Sequence, residues 1–443
     1  MVNEREIALQ ALLEFQKTGA WPDLYLKKKL EPLSGPQAAL ATNITYGVLQ
    51  NRSRIDYYIG CFSSIPLKKI SSVVLEAMRM AVYQILYLDR VPDSAAVNQS
   101  VELIKRTGNK RAAGFANGVL RTIVRQKQSL PAVEAKTAAG RLAIETSHPE
   151  WLVRRLMGIL GEDECRQFLL ADNAPVRPVV RVNTLKTTAE AFCAAIHTMT
   201  DRMPQPVEGL ENAFYMDDLA AALKSDLFEQ GHFYVQDAAS QMAVQALAPA
   251  PGDCVLDICA APGGKSLLAA QWMEDRGELI SNDLYPHKAA LLRENAQRYG
   301  VTILRESCKD ACLYNDEYAG YFDKIICDVP CSGLGIIRKK PDIRYKDEAS
   351  LRELPQIQAR ILENAAAYLK PGGSMIYTTC TVLPEENEQV LEAFLRSHPD
   401  YKLCSFLLRG AERPGSVTLY PHRDGTDGFF ISKIERSAHR CRN

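Results

Sequence analysis

The spacing of apolar residues changes along this chain, and each spacing admits a different kind of fold. Up to about residue 128, apolar side chains recur at three- and four-residue steps, as in Ile7, Leu9, Leu12 and Leu13, and again in Val74, Ala77, Met78, Ala81, Ile85 and Leu86. That is the period of an amphipathic helix, so an all-α bundle is expected. Between about 175 and 240 the pattern is mixed: residues 178–183 and 232–235 read as strands and residues 189–199 as a helix, which predicts a small α+β module. From Asp253 onward, strand-like runs at 254–258, 278–281, 301–304, 322–327, 374–378 and 429–432 alternate with helical stretches at 264–272, 288–299, 356–369 and 385–395. Such alternation predicts a doubly wound α/β sheet of the Rossmann-like type, with a largely parallel core. A chain of 443 residues exceeds one ordinary core. We therefore expect three domains, at 1–140, 141–245 and 246–443.

Composition removes several classes. Glu4, Arg5 and Glu6 stand where a signal peptide needs an apolar core, and no apolar run approaches the length of a membrane span, so a cytoplasmic, membrane-free monomer is expected. The twelve cysteines are dispersed, and neither Cys308 with Cys312 nor Cys327 with Cys331 has a His at zinc-finger spacing, so we read them as reduced thiols and expect no metal. Net charge is zero but unevenly spread. Residues 1–150 carry 20 Lys and Arg against 13 Asp and Glu, and the remainder 33 against 40. Lys105, Arg106, Lys110, Arg111, Arg121, Arg125 and Lys127 follow one another without an acidic residue between them. The N-terminal part is the expected contact for a polyanion.

Asp257-Ile-Cys-Ala-Ala-Pro-Gly-Gly-Lys265 lies between the first strand and first helix of the α/β region. At that turn a doubly wound sheet exposes backbone N–H groups, and small residues let a ligand approach closely. A Walker A loop ending in Gly264-Lys265-Ser266 needs Gly where Cys259 stands, and G-x-G-x-x-G is absent. A cofactor without a pyrophosphate is left. Asp283, Asp310 and Asp328 recur at successive strand ends, where a carboxylate is placed to accept hydrogen bonds from ribose hydroxyls.

Three blocks, Cys259-Ala-Ala-Pro-Gly-Gly-Lys265, Asp328-Val-Pro-Cys-Ser-Gly-Leu-Gly335 and Thr379-Cys-Thr381, in this order resemble the RNA cytosine-C5 methyltransferase family. Similarity continues through Val235-Gln-Asp-Ala-Ala-Ser240, Pro341-Asp342 and Leu383-Pro-Glu-Glu-Asn387. The resemblance implies S-adenosylmethionine as cofactor, held by Cys259, Ala260, Ala261, Pro262, Gly263, Gly264, Lys265, Asp283, Asp310 and Asp328. Cytosine C5 is a poor nucleophile, so the chemistry needs a thiolate to add first at C6. Cys331 and Cys380 both stand at strand ends on the expected rim of the sheet. By resemblance Cys380 attacks and Cys331 assists release, although DNA cytosine methyltransferases use the Pro-Cys thiol. Asp328 is expected to hold the N3 edge of the base, and the basic residues Arg338, Lys339, Lys340 and Arg344 offer contacts to flanking phosphates.

Leu40-Ala-Thr-Asn-Ile-Thr-Tyr-Gly-Val-Leu49 and Phe115-Ala-Asn-Gly-Val-Leu-Arg121 resemble the NusB-like RNA-binding domain. Joined to the catalytic blocks, they imply 16S ribosomal RNA as the partner, before the subunit is fully assembled. A transfer-RNA cytosine methyltransferase and a non-enzymatic RNA-binding factor are the alternatives. An adenine N6 enzyme is disfavoured, because Asn/Asp-Pro-Pro-Tyr/Phe is missing at Asp328.

Overall fold

A computed structural model of the chain describes residues 3–19, 22–31, 33 and 35–438. They form two compact units, one of residues up to Asn173 together with Lys340–Lys346, the other of Ala174–Lys339 together with residues from Asp347 onward.

The first unit is helical throughout: α1 (Glu4–Thr18), α2 (Pro22–Leu30), α3 (Gly35–Phe62), α4 (Ser72–Tyr87), α5 (Asp93–Arg106), α6 (Lys110–Arg125), α7 (Ala138–Thr146), α8 (Glu150–Leu160) and α9 (Glu162–Asn173). Asn3 caps α1, its side chain accepting from the Glu6 N–H while Glu6 accepts from the Asn3 N–H, so two of the helix's free donors are satisfied. Helix α6 shows why this part stays helical. Ala113, Ala116, Val119, Leu120 and Ile123 are buried along one stripe, facing Val97 and Ile104 of α5 and the Val74, Met78 and Ala81 side of α4. The segment 340–346 is lodged in this unit by Arg344, whose buried guanidinium donates to the Gln50 and Ser147 carbonyls and to Asn173 Oδ1. Arg344 therefore cannot serve as the phosphate contact expected of it.

The second unit holds two main sheets. In the smaller, β1 (Val179–Val182), β2 (Gln205–Pro206), β3 (Ala213–Tyr215) and β4 (Phe233–Val235) lie in the order β2-β3-β1-β4, all antiparallel. Helices α10 (Ala189–Thr200), α11 (Leu219–Ala222) and α12 (Asp226–Glu229) complete this module, and α13 (Ala238–Leu247) leaves it. The larger sheet contains β5 (Cys254–Asp257), β6 (Glu278–Asn282), β7 (Leu304–Ser307), β8 (Phe322–Asp328), β9 (Leu369–Thr379), β10 (Tyr401–Leu403), β13 (Ser416–Leu419) and β14 (Phe429–Arg436), with β11 (Phe406–Leu408) and β12 (Ala411–Arg413) forming a separate hairpin. Its order is β10-β14-β9-β8-β5-β6-β7, with β13 also on β14. Pairs from β9 through β7 are parallel and those involving β14 antiparallel, so the doubly wound sheet is present as expected.

Both faces of this sheet are covered. Ile326, Ile376 and Ile431 pack against α13 and against Leu268 and Ala269 of α14 (Gly264–Trp272). On the other face, Ile325, Cys327, Met375 and Tyr377 meet α16 (Leu354–Tyr368) and α17 (Glu388–Ser397). Alternate residues of β8 and β9 thus point to opposite cores, the two-residue period of a strand buried on both sides. Helix α15 (Pro286–Tyr299) closes the edge near β6 and β7.

The structure adds strands the sequence reading did not give, β2, β3 and β10–β13, and begins β9 at Leu369; two further differences have a local cause. The strand expected at 301–304 begins only at Leu304, because Val301 ends α15. Gly300 takes a left-handed φ of 71°, and the Val301 N–H returns to the Ala296 carbonyl, a helix stop whose apolar residue packs back on the helix. The helix expected from 385 begins only at Glu388, because the polar side chains before it are committed elsewhere, as the site shows.

Candidate active site

The C-terminal ends of β5, β6, β8 and β9 converge beside the place where strand order reverses, the crevice in which open α/β sheets bind ligands. After β5 the chain turns through residues 259–263 into α14. The Ala260 N–H donates to the Asn282 carbonyl at 2.7 Å, and Asn295 Nδ2 to the Pro262 carbonyl at 2.8 Å. Asn282, at the end of β6, is the buried tie between three loops. Its amide donates to the Ile258 and Lys309 carbonyls and accepts from the Lys309 N–H. The turn after β5 and the loop carrying Asp310 are thereby held to one side chain. Its neighbour Asp283 is nearly covered, with the Tyr285 N–H at 3.3 Å and the Lys288 ammonium at 3.6 Å. Asp310 is exposed, and its Oδ1 accepts from the Cys312 N–H. Cys259 packs among apolar neighbours, and burial pushes its thiol well up.

Beneath the turn lies a carboxyl with unusual surroundings. Asp257 accepts from Ser266 Oγ at 2.7 Å, and Ser281 donates to that hydroxyl in turn. Its Oδ1 is buried with no hydrogen-bond partner among the described residues. Burial raises the Asp257 pKa to about 7, with Asp328 adding to the rise and Ser266 opposing it.

Asp328, the last residue of β8, has both oxygens engaged. Lys265 Nζ lies 2.7 Å from Oδ2, and Thr378 of β9 donates to Oδ1 at 2.7 Å. Burial works against the charge on Lys265, but the Asp328 carboxylate outweighs it and holds the ammonium above its ordinary range. The Phe429 ring lies 5.3 Å beneath the same ammonium. This is an ion pair at the rim, fixed from both strands.

The two thiols meet there. Cys331 Sγ lies 3.0 Å from Cys380 Sγ, and the Cys380 N–H donates to Cys331 Sγ at 3.2 Å. Ser332 Oγ donates to Thr381 Oγ1 at 2.8 Å, and the Gly335 N–H to the Cys380 carbonyl at 2.9 Å. Both cysteines remain partly exposed. The turns after β8 and β9 are consequently one assembly. The polar residues before α17 brace it: the Glu386 carboxylate accepts from the Ser332 N–H at 2.8 Å and from Gln358 at 2.9 Å, and Asn387 donates to the Thr381 carbonyl at 3.0 Å.

Arg338 and Lys339 are not open phosphate contacts. They pair with Asp427 and with Asp237, the residue that caps α13. The sequence reading also passed over Arg181 of β1, a buried guanidinium that donates to Gln236 and to the Gly264 carbonyl behind the turn after β5. A charged residue inside the run Val-Val-Arg-Val was the available signal for it.

Comparison with known proteins supplies the wider setting. Residues 244–435 match the family model described as 16S rRNA methyltransferase RsmB/F, residues 2–125 the NusB family, and residues 149–238 the N-terminal domain of 16S rRNA methyltransferase RsmF. The chain is 36% identical to the probable ribosomal RNA small subunit methyltransferase B of Bacillus subtilis strain 168, over 98% of each chain. It is 30% identical to the ribosomal RNA small subunit methyltransferase B of Shigella sonnei, again over 98% of each. Among solved structures, that of PH0851 superposes with a TM-score of 0.77 at 26% identity, covering 97% of this chain and 98% of that one.

Proposed function

The chain belongs to the RsmB/F family of 16S rRNA methyltransferases, and we propose that it methylates C5 of a cytosine in 16S ribosomal RNA through a covalent bond from Cys380. The observation carrying this reading is the pair of partly exposed thiols 3.0 Å apart, beside the Lys265–Asp328 ion pair.

The donor set at the strand ends fits S-adenosylmethionine. Asp283 suits the ribose hydroxyls, Asp310 a hydrogen-bond donor on the adenine side, and the small residues of 259–264 the close passage of a ligand along the main chain. When bound, this cofactor supplies a methyl group activated by a sulfonium. The chain's own residues do the remainder. Cys380 Sγ adds to C6 of the base, and the electron pair of the C5–C6 double bond moves into the ring, which makes C5 nucleophilic. Asp328, kept in place by Lys265 and Thr378, is positioned at the N3 edge. The charge that develops there is met by a proton from the Lys265 ammonium, relayed through the Asp328 carboxyl and returned when the C6–Sγ bond breaks. Once C5 is methylated, its remaining ring proton leaves, the C6–Sγ bond breaks with its electrons returning to sulfur, and the double bond re-forms. Cys331 assists this release. The base must leave its stack to reach the thiols, so the target is an unpaired nucleotide.

The helical unit supplies the RNA contact in this proposal, and the module around β1–β4 a second one, with domains taken as 1–140, 141–245 and 246–443. On α6, Lys110, Arg111, Arg121 and Arg125 are exposed and have no carboxylate partner among the described residues. Lys105, Arg106 and Lys127, by contrast, are paired with Glu102, Glu6 and Asp93. Measuring methyl transfer to 16S transcript tests the reading: Cys380→Ala is expected to abolish incorporation, with product from the parent protein mapping to 5-methylcytosine. Incorporation that survives in Cys380→Ala, or a methyl at another atom, removes it.

A further inference from the structure

The thiol beside the nucleophile has a carboxylate behind it that the reaction above does not use. Glu386 is buried, its Oε2 accepting from the Ser332 N–H and Gln358 Nε2 while Oε1 has no hydrogen-bond partner among the described residues. Gln358 also donates to the Pro330 carbonyl at 3.0 Å. Glu386 and Gln358 together thus grip the main chain on both sides of Cys331. The Tyr377 hydroxyl donates to the Glu386 carbonyl at 2.6 Å and fixes the gripping residue in turn.

We propose that Glu386 is a positioning residue that aims Cys331 at Cys380 and reserves its thiol as the proton donor to the departing Cys380 sulfur. The inference rests on the covalent reading of Cys380. As the C6–Sγ bond breaks, its electron pair returns to Cys380 Sγ and takes the Cys331 proton across the 3.0 Å gap. The C5 proton goes to water, the C5–C6 double bond re-forms, and the Cys331 thiolate regains a proton from water. No electrons are gained or lost.

The surroundings of the two sulfurs differ in the required sense. Cys331 faces the Cys380 thiol, the Glu386 carboxylate and the Tyr377 hydroxyl, with the Gly333 N–H as an opposing dipole. The hydrogen bond to Cys380, burial and Glu386 all push the Cys331 thiol well above its ordinary range. Cys380 instead shares its side of the site with the Lys265 ammonium, itself paired to Asp328. A buried anion beside Cys331 keeps the proton on that thiol.

The pH dependence of iodoacetamide alkylation, read peptide by peptide by mass spectrometry, tests this on the full chain. In Cys380→Ala protein, adding Glu386→Gln keeps an acceptor for Ser332 and removes the charge. Cys331 is expected to alkylate about tenfold faster at pH 8, with its profile displaced to lower pH by about one unit, while Glu386→Asp retains the parental profile. An unchanged profile in Glu386→Gln overturns the proposal, as does equal displacement by Asp and Gln. A second comparison leaves Glu386 untouched: at pH 8 Cys331 in Cys380→Ala must react more slowly than Cys380 in Cys331→Ala, and the reverse order also overturns it. These rates need no RNA, so they separate failure of the Glu386 role from failure of the cytosine reading, which shows as no covalent RNA complex in any variant.

Discussion

Asp257 shows how one carboxyl beneath the turn after β5 affects the whole chain's response to pH. Below about pH 4 it is protonated whether the chain is folded or not. From its ordinary value of 3.8 up to about 7, the unfolded chain loses this proton while the folded chain keeps it. The folded state binds more protons in that window, so stability falls as pH rises through it and stays lowered above it. Asp257→Asn removes the slope, and its stability relative to the parent is expected to grow by on the order of 4 kcal/mol between pH 4 and pH 8. Denaturant unfolding of both proteins at several pH values measures this, and parallel curves would show that the carboxyl is not held neutral. The places of Asp283, Asp310, Asp328, Cys331 and Cys380 at strand ends were legible in the sequence, because a strand end followed by an acid or thiol is a recognisable local pattern, whereas the roles given to the two thiols rest on the family resemblance. Asn282 and Glu386 were not. Each acts on main chain distant in sequence, Asn282 on residues 258 and 309, Glu386 on residue 332, and nothing local announces such partners.

The turns after β8 and β9 work as a unit because backbone meets backbone. Gly335 sits against the loop before β14: its carbonyl accepts from the Gly428 N–H at 2.8 Å, and a Cβ on Gly335 would fall 1.8 Å from the Gly428 carbonyl oxygen. No side-chain rearrangement relieves that contact. Gly335→Ala is therefore expected to displace the Cys331 turn and lower methyl transfer at least about a hundredfold, a cost of about 3 kcal/mol at the transition state. Single-turnover kinetics at saturating RNA checks it, and a variant with parental rate would show that the two turns are not coupled. Periodicity placed the strands and helices well where one rule governed, as in α14. It failed where caps and site scaffolding competed. Val301 was apolar enough to pass as strand but belongs to the stop of α15. Residues 385–387 had helical spacing, yet Glu386 and Asn387 are bound to the cysteine turns.

For the molecule as a whole, an even total charge conceals the basic helical unit, and the structure separates paired from unpaired cations there. Replacing Lys110, Arg111, Arg121 and Arg125 together by Gln is expected to lower RNA affinity and to reduce the slope of log affinity against log salt by about 3, at roughly 0.7–0.9 per phosphate contact. Fluorescence titration at several salt concentrations reads this directly, and an unchanged slope would place the RNA elsewhere. The division into a helical part and a doubly wound sheet was legible from period alone. The capture of residues 340–346 by the helical unit was not, because Arg344 in a basic run reads as a surface cation until its three acceptors are seen. The proposed reaction turns on one bond, between Cys380 and the base. The Cys331→Ala protein, incubated with 16S transcript and S-adenosylmethionine, then digested with nuclease and protease, should yield by mass spectrometry a peptide bearing one methylated cytidine on Cys380. If 5-methylcytosine forms in the RNA while every Cys380 peptide and every other cysteine stays unmodified at all times sampled, the covalent account is wrong.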